Sequence, residues 1–306
     1  MDLPAAWQAV EEAYRQFGRA PEVQSRPPVM VIAGPRPTLG RAGLGQYRVK
    51  GASLPGFAAA GAFLATREHP FMYLWSAETD APMGLVACDW LSQFRVAVTA
   101  AVVTETLARP DIRKMALFGA GKYARETCRL LAQHWPDAEL HLVAAHIDSA
   151  RRLAAEMPRP IVASDSAREA IRGADVVVTL TNATAPFIRG GWLSPGALLL
   201  SMGSPHEVDI AVLHEADGLI VDDLAYARIQ GDLAAWIERG ELDPAELPRR
   251  LRANIGEVVA GLKTGRHDPA ERLLAIIQGL TACDVAMAKT VLDRAATERI
   301  GQIVTI

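Results

Sequence analysis

Residues 114–126 read KMALFGAGKYARE: an apolar run, two glycines one residue apart, then a helix-forming stretch. Gly119, Gly121 and Ala124 form the pattern G-x-G-x-x-A, with Ala120 inside the turn. Each residue type has a use there. Gly119 permits a tight turn after a strand, Gly121 lets a pyrophosphate approach the backbone, and the small Ala124 lets helix and sheet pack closely. The helix that follows offers free N–H groups and the positive end of its dipole to phosphate oxygens. The expected chemistry is dinucleotide binding; the alternative is a strand-to-helix turn with no cargo.

A ribose diol is usually held by an acidic residue at the tip of the second strand, about 20 residues on. Here the tip is Ala144 or Ala145, followed by His146 and Asp148, with Arg151 and Arg152 one turn into the next helix. Without an acid at the tip a 2′-phosphate is not repelled, and Arg151 could neutralise it. Both NADP and NAD remain open, with the expectation leaning to NADP. The stretch TLTNATAP follows another apolar run, where the chain leaves the carboxyl edge of the sheet. Thr181, Asn182 and Thr184 are candidates for the nicotinamide ribose, or plain turn formers.

These residues need a scaffold, and the pattern from Met115 onward supplies one. Apolar runs MALF, LHLVAA, PIVA, DVVVTL, ALLLSMG and GLIVDD alternate with helical stretches, which predicts a parallel sheet covered on both faces. Before it, Trp7 to Phe17 has helical spacing, and YRVKG, AGAFLAT, FMYLWSAET and MGLVACDW read as short strands, with ETDAP as a hairpin turn. FRVAVTAAVVTETLA suits a buried helix, and RLLAIIQGLTACDVAMAKTVLDRAA reads as one closing helical run. The 32 Lys and Arg against 35 Asp and Glu leave no basic excess, so a nucleic-acid partner is not expected. Three scattered cysteines without C-x-x-C spacing suggest neither a disulfide framework nor a metal site, and they fit a reducing cytoplasm. No stretch has the length of a membrane span, and the acidic N-terminal helix is unlike an export signal.

Six segments in order resemble the ornithine cyclodeaminase/mu-crystallin family: YRVKG, LWSAETDAPMGLVACDW, FRVAVTAA, GAGKYA, IGEVVAGLKTGR and GLTACDVAMA. The resemblance implies an α/β fold. A Rossmann-type doubly wound parallel sheet at 113–274 would be accompanied by an α+β N-terminal substrate and dimerisation domain, at 1–112 and 275–306, joined by the C-terminal helix. It also implies roles for two residues. Arg95 would pair bidentately with a substrate carboxylate, and Lys50 would hydrogen-bond the substrate and handle a proton. A planar guanidinium matches a carboxylate fork. FMYLW, apolar at strand spacing, is expected to contribute to a homodimer interface.

The departures from the family pattern narrow the chemistry. Cyclodeaminase-like members carry an Asp in the segment G-x-D-x-P-G-K-x-E-L; here SMGSPHEVDI is shorter and lacks it, with Ser204, Pro205 or His206 in the region. Ile276 and Ile277 stand where Lys and Ser are usual. A binder of a second substrate ammonium is therefore missing, and His206 is the candidate substrate contact in its place. The expected activity is an NAD(P)-dependent oxidoreductase acting on a C–N bond of a small carboxylated substrate, by imine reduction or the reverse amine oxidation. The alternatives are a cyclodeaminase that recycles its NAD, a cofactor-binding protein without turnover, and a shikimate-dehydrogenase-like enzyme. Specificity is expected from loop side chains in IAGPRPTLGRAG.

Overall fold

A computed structural model describes residues 2–32, 47–66, 69–203 and 205–304. Residues 33–46, which include most of the expected specificity loop, and Ser204 lie outside the described residues. The first stretch of chain forms α1 (Leu3–Arg19), β1 (Met30–Ile32), β2 (Tyr47–Leu54), β3 (Ala59–Ala65), β4 (Phe71–Ser76) and β5 (Pro82–Ala87). Next come α2 (Asp89–Leu107), β6 (Lys114–Phe118), α3 (Lys122–His134), β7 (Glu139–Val143), α4 (Ile147–Ala155), β8 (Val162–Ser164) and α5 (Ala167–Ile171). They are followed by β9 (Val176–Thr179), β10 (Leu198–Ser201), α6 (Ile210–Glu215), β11 (Gly218–Val221), α7 (Leu224–Ala227) and α8 (Asp232–Glu238). The last elements are α9 (Leu247–Arg250), β12 (Leu251–Asn254), α10 (Ile255–Val259), β13 (Leu273–Ile276) and α11 (Thr281–Glu298). Two compact units result, one of residues 1–95 with 280–306 and one of 96–279.

In the first unit β1 to β5 form an antiparallel meander in sequence order. The turn after β4 is the expected hairpin, with Asp80 at φ 59°, a conformation Asp tolerates. Asp2 caps α1 by accepting from the Ala5 N–H at 3.0 Å, and Ala6, Ala9, Val10, Ala13, Tyr14 and Phe17 make its buried stripe. Helix α11 packs on α1 and across β2, β3, β4 and β5. Its first two turns, Thr281 to Ala288, are wholly buried, which accounts for the apolar closing sequence. Phe71, Tyr73 and Leu85 of β4 and β5 are exposed.

The second unit is an eight-stranded sheet of order β12-β11-β13-β10-β9-β6-β7-β8, parallel throughout. Strands β9, β10, β11 and β13 are buried at every position, as expected when both faces are covered. The strand order reverses at β6, which has β7 on one side and β9 on the other. In open sheets of this kind a crevice for ligands opens at the carboxyl ends of such a pair.

One expectation fails. Residues 273–276 are not the start of the closing helix but strand β13, seated between β10 and β11. The run LLAI is apolar at every position, so its pattern cannot distinguish a buried helix from a strand buried on both faces. The helix begins only after Gly279, whose φ of 98° suits glycine alone.

Candidate functional site

At the carboxyl end of β6, Gly119 adopts φ 122°, and a Cβ there would run into the Leu180 carbonyl oxygen and lie 3.4 Å from the Ala124 Cβ. The glycine loop is thus pressed against the exit of β9, and Ala124, fully buried, lets α3 sit close to the sheet. Gly121 is the N-cap of α3 with φ −83° and no side-chain cap bond. Nothing lies within 4 Å of a Cβ built on it. This open space beside uncapped helix N–H groups fits a pyrophosphate. Ala120 completes the turn, and Gly121, Lys122 and Tyr123 are exposed at its rim.

The ribose corner is less defined. His146 is the exposed N-cap of α4, and Arg151, one turn in, pairs with Asp148 at 3.7 Å on an exposed face. Arg152 donates to the Ser149 hydroxyl at 3.1 Å. No carboxylate stands at Ala144 or Ala145, the strand tip itself.

At the exit of β9, Thr181 follows Leu180, whose N–H donates to the Phe118 carbonyl at 2.8 Å, so it adjoins the glycine loop. The Thr181 hydroxyl is already committed, however: it and the Thr181 N–H both donate to Glu207 Oε1 at 2.7 Å. Glu207 Oε2 accepts from the Thr179 hydroxyl at 2.7 Å and the Gly203 N–H at 3.0 Å. Asn182 and Thr184 are exposed. Glu207 is 0% exposed, and burial, with Asp232 nearby, pushes its carboxyl up to about 7 against the pull of the threonine bonds. Asp232 in turn accepts from the Ser201 hydroxyl at 2.6 Å and the Glu207 N–H at 2.9 Å. The sequence reading missed Glu207. It sits inside the quoted SMGSPHEVDI, and its signal was the Glu that the family segment G-x-D-x-P-G-K-x-E-L carries before an apolar residue, as Glu207 precedes Val208.

His206 is half-buried, and its Nδ1 lies 3.1 Å from Arg239 Nη1. Both line a groove of about 410 Å³ with Thr184, Pro186, Arg189 and Asp209. The neighbouring carboxylates are occupied: Asp209 accepts from the Ala211 N–H and from Arg189, each at 2.9 Å. Glu207 and Asp209 thus both have their carboxylates hydrogen-bonded within the protein.

Lys50 and Arg95 belong to the first unit and the glycine loop, Thr181, Asn182 and His206 to the second. Lys50, on β2, is 7% exposed, and its Nζ sits 5.8 Å from the ring centroid of its cross-strand partner Phe63. Arg95, on α2, is 8% exposed, and its Nε donates to Asp284 Oδ1 of α11 at 2.7 Å. Burial works against the guanidinium charge, but attraction to Asp284 outweighs it and the pKa is raised, so Arg95 stays charged. Among the described residues this is its one hydrogen bond, so the two Nη groups remain for a ligand. Asp284, 4% exposed, keeps Oδ2 without a hydrogen-bond partner among the described residues. Its motif was legible in the sequence, but its partner was not. No cluster of metal-ligating side chains occurs among the described residues.

The uncharacterized cyclodeaminase y4tK of Sinorhizobium fredii is 29% identical over 320 residues, covering 99% of this chain and 94% of that protein. The alanine dehydrogenase of Archaeoglobus fulgidus is 26% identical over 320 residues, covering 98% and 93%. Among solved structures, an archaeal alanine dehydrogenase dimer with bound NAD matches with a TM-score of 0.86 and 25% identity, over 100% of this chain and 95% of that one. A model of the ornithine cyclodeaminase/mu-crystallin family matches residues 59–299, and the chain belongs to that family.

Proposed function

We infer that this chain is an NAD(P)-dependent oxidoreductase that acts on the C–N bond of a small carboxylated substrate, reducing an imine or oxidising the corresponding amine. One observation carries the reading: a buried, charged Arg95 whose Nε is tied to Asp284 and whose Nη pair is uncommitted. A fork of two parallel N–H donors is the complement of a carboxylate. Glycine loop and α3 N-terminus hold the pyrophosphate, and Thr181 with Asn182 border the nicotinamide ribose. When bound, the nicotinamide supplies or accepts the hydride. Lys50 hydrogen-bonds the substrate nitrogen and gives it a proton in the reductive direction, or takes one back in the oxidative direction.

The occupied state of Glu207 and Asp209 disfavours cyclodeaminase chemistry, since neither offers a free carboxylate to a second substrate ammonium. At the ribose corner there is neither a diol-binding acid at the strand end nor a committed phosphate clamp, so both cofactors enter the assay. Exposed Phe71, Tyr73 and Leu85, together with the dimeric state of the archaeal relative, support a homodimer through the meander. Three buried cysteines that form no disulfide fit the reducing cytoplasm. The experiment is NADH and NADPH oxidation against cyclic imines and against keto acids with ammonia or amines. Turnover with a carboxylated imine is expected; ammonia release from a diamino acid without net nicotinamide change would reverse the assignment.

A further inference from the structure

Glu207 sits at the meeting point of three segments. Its carboxylate accepts from Thr179 and Thr181 at the end of β9 and from Gly203 after β10. Its backbone carbonyl accepts from the N–H groups of Phe187 and Ile188, both at 3.0 Å. Asp232 of α8 fixes the same residue from behind through the N–H groups of Glu207 at 2.9 Å and Val208 at 3.2 Å. Two backbone N–H groups and two threonine hydroxyls reach the carboxylate, an arrangement that favours the ionised form, which can accept from all four. A protonated carboxyl keeps all four contacts only if a threonine hydroxyl turns to accept from it, as Thr179 can by giving its own hydrogen to the Leu200 carbonyl over a longer 3.4 Å.

These bonds converge on the loop that borders the cofactor crevice. Leu180 lies between the two bonded threonines, and its carbonyl is the group a Cβ on Gly119 would strike. The Thr181 hydroxyl gives its hydrogen to Glu207 and accepts from the Ala183 N–H at 3.1 Å, which fixes the turn, and Asn182 between them is exposed at the rim. Resting on the reading of the glycine loop as a cofactor site, we propose that Glu207 is a positioning residue for the nicotinamide cofactor: its ionised carboxylate fixes Thr181 and Asn182 beside the loop in the arrangement that receives the ribose. Cofactor affinity then follows the ionisation of this side chain. The charged and titratable groups around it are Asp232 on α8, Arg239 just beyond that helix, and His206 and Asp209 on its own segment; β9 and β10 face it with the uncharged Thr179 and Ser201. Burial places its titration at about 7.

The test is fluorescence titration of NADH into the purified full-length chain, in the absence of substrate, between pH 6 and 8. In the wild type the dissociation constant rises as pH falls, by up to about tenfold per pH unit below the titration point. Glu207→Gln keeps the shape and loses the charge; it binds about 10- to 100-fold more weakly at pH 8, the worth of a charge-assisted bond, and its affinity no longer depends on pH. His206→Gln retains the wild-type slope. Thr179→Val removes a bond that favours the ionised form, so it moves the midpoint to higher pH and keeps the proposal testable if Glu207→Gln does not fold. A wild type that binds neither NADH nor NADPH overturns the cofactor site itself. Wild-type binding that is insensitive to pH, or unchanged in a folded Glu207→Gln variant, overturns the role of Glu207 alone, and so does a slope abolished by His206→Gln.

Discussion

Arg95 Nε and Asp284 Oδ1 meet at 2.7 Å although 189 residues separate them in the chain. The pair joins α2 to the buried first turn of α11 and holds the guanidinium by its Nε, which leaves the outer fork for the substrate carboxylate that we propose it binds. Asp284→Asn keeps the shape but weakens the hold on Arg95. We expect the KM for a carboxylated substrate to rise about 10- to 100-fold, the worth of a charge-assisted bond, with a smaller change in kcat and a lowered melting temperature. Steady-state kinetics checks this; an unchanged KM would remove Asp284 from the site. Arg95→Lys should act on KM in the same direction, because one point charge replaces a paired donor.

Lys50→Met keeps the stem beside Phe63 and removes the proton donor. General acid catalysis is typically worth about 10²- to 10⁴-fold, so kcat should fall by that order while NADH affinity, measured by fluorescence, stays at the wild-type value. Full kcat with a carboxylated imine would mean that the proton comes from another group, and His206 is the next residue to substitute.

Two glycines of one loop should behave oppositely. Gly121→Val puts its Cβ where nothing lies within 4 Å, so the fold should survive with a stability change within about 1 kcal/mol, while cofactor binding should be lost because the side chain fills the space proposed for the pyrophosphate. Gly119→Ala forces a Cβ onto the Leu180 carbonyl at φ 122° and should cost about 1–3 kcal/mol from the backbone conformation alone. Thermal melts and NADH titrations of both variants decide. A folded Gly121→Val variant with normal affinity would reject the loop assignment.

Acid stability should depend on Glu271. Two hydrogen bonds from Arg252, at 2.7 and 2.8 Å, hold its carboxyl down at about 2, below the ordinary 4.5. A lowered folded-state pKa contributes stability that is complete above the ordinary value and is lost as pH falls toward the folded one. Glu271→Gln should therefore melt well below the wild type at pH 7, and the gap should narrow between pH 4.5 and 2. A gap of constant size across that window would show that the ion pair is not its source.

The exposed Leu85 should lie in a subunit interface. Leu85→Glu places a charge on the apolar face of the meander with Phe71 and Tyr73, and light scattering should report a shift from dimer toward monomer. A wild type that is monomeric at working concentrations would dispose of the interface.

The sequence by itself determined what local pattern can encode. Gly119, Gly121 and Ala124 specified the loop because turn geometry and close packing restrict residue type over six positions. The alternation of apolar runs and helices specified a parallel sheet because a strand covered on both faces has no polar side. The order of family segments marked Lys50 and Arg95. Tertiary structure decided the rest, and always for the same reason: partners were chosen by which elements became neighbours. Residues 273–276 became a strand because a slot between β10 and β11 was there to be filled, which no periodicity of four apolar residues can announce. Arg95 acquired Asp284 because α2 and α11 were brought together across most of the chain. Glu207, one acid among 35 acidic residues in the sequence, became a buried anchor because the ends of β9 and β10 aim four donors at one point.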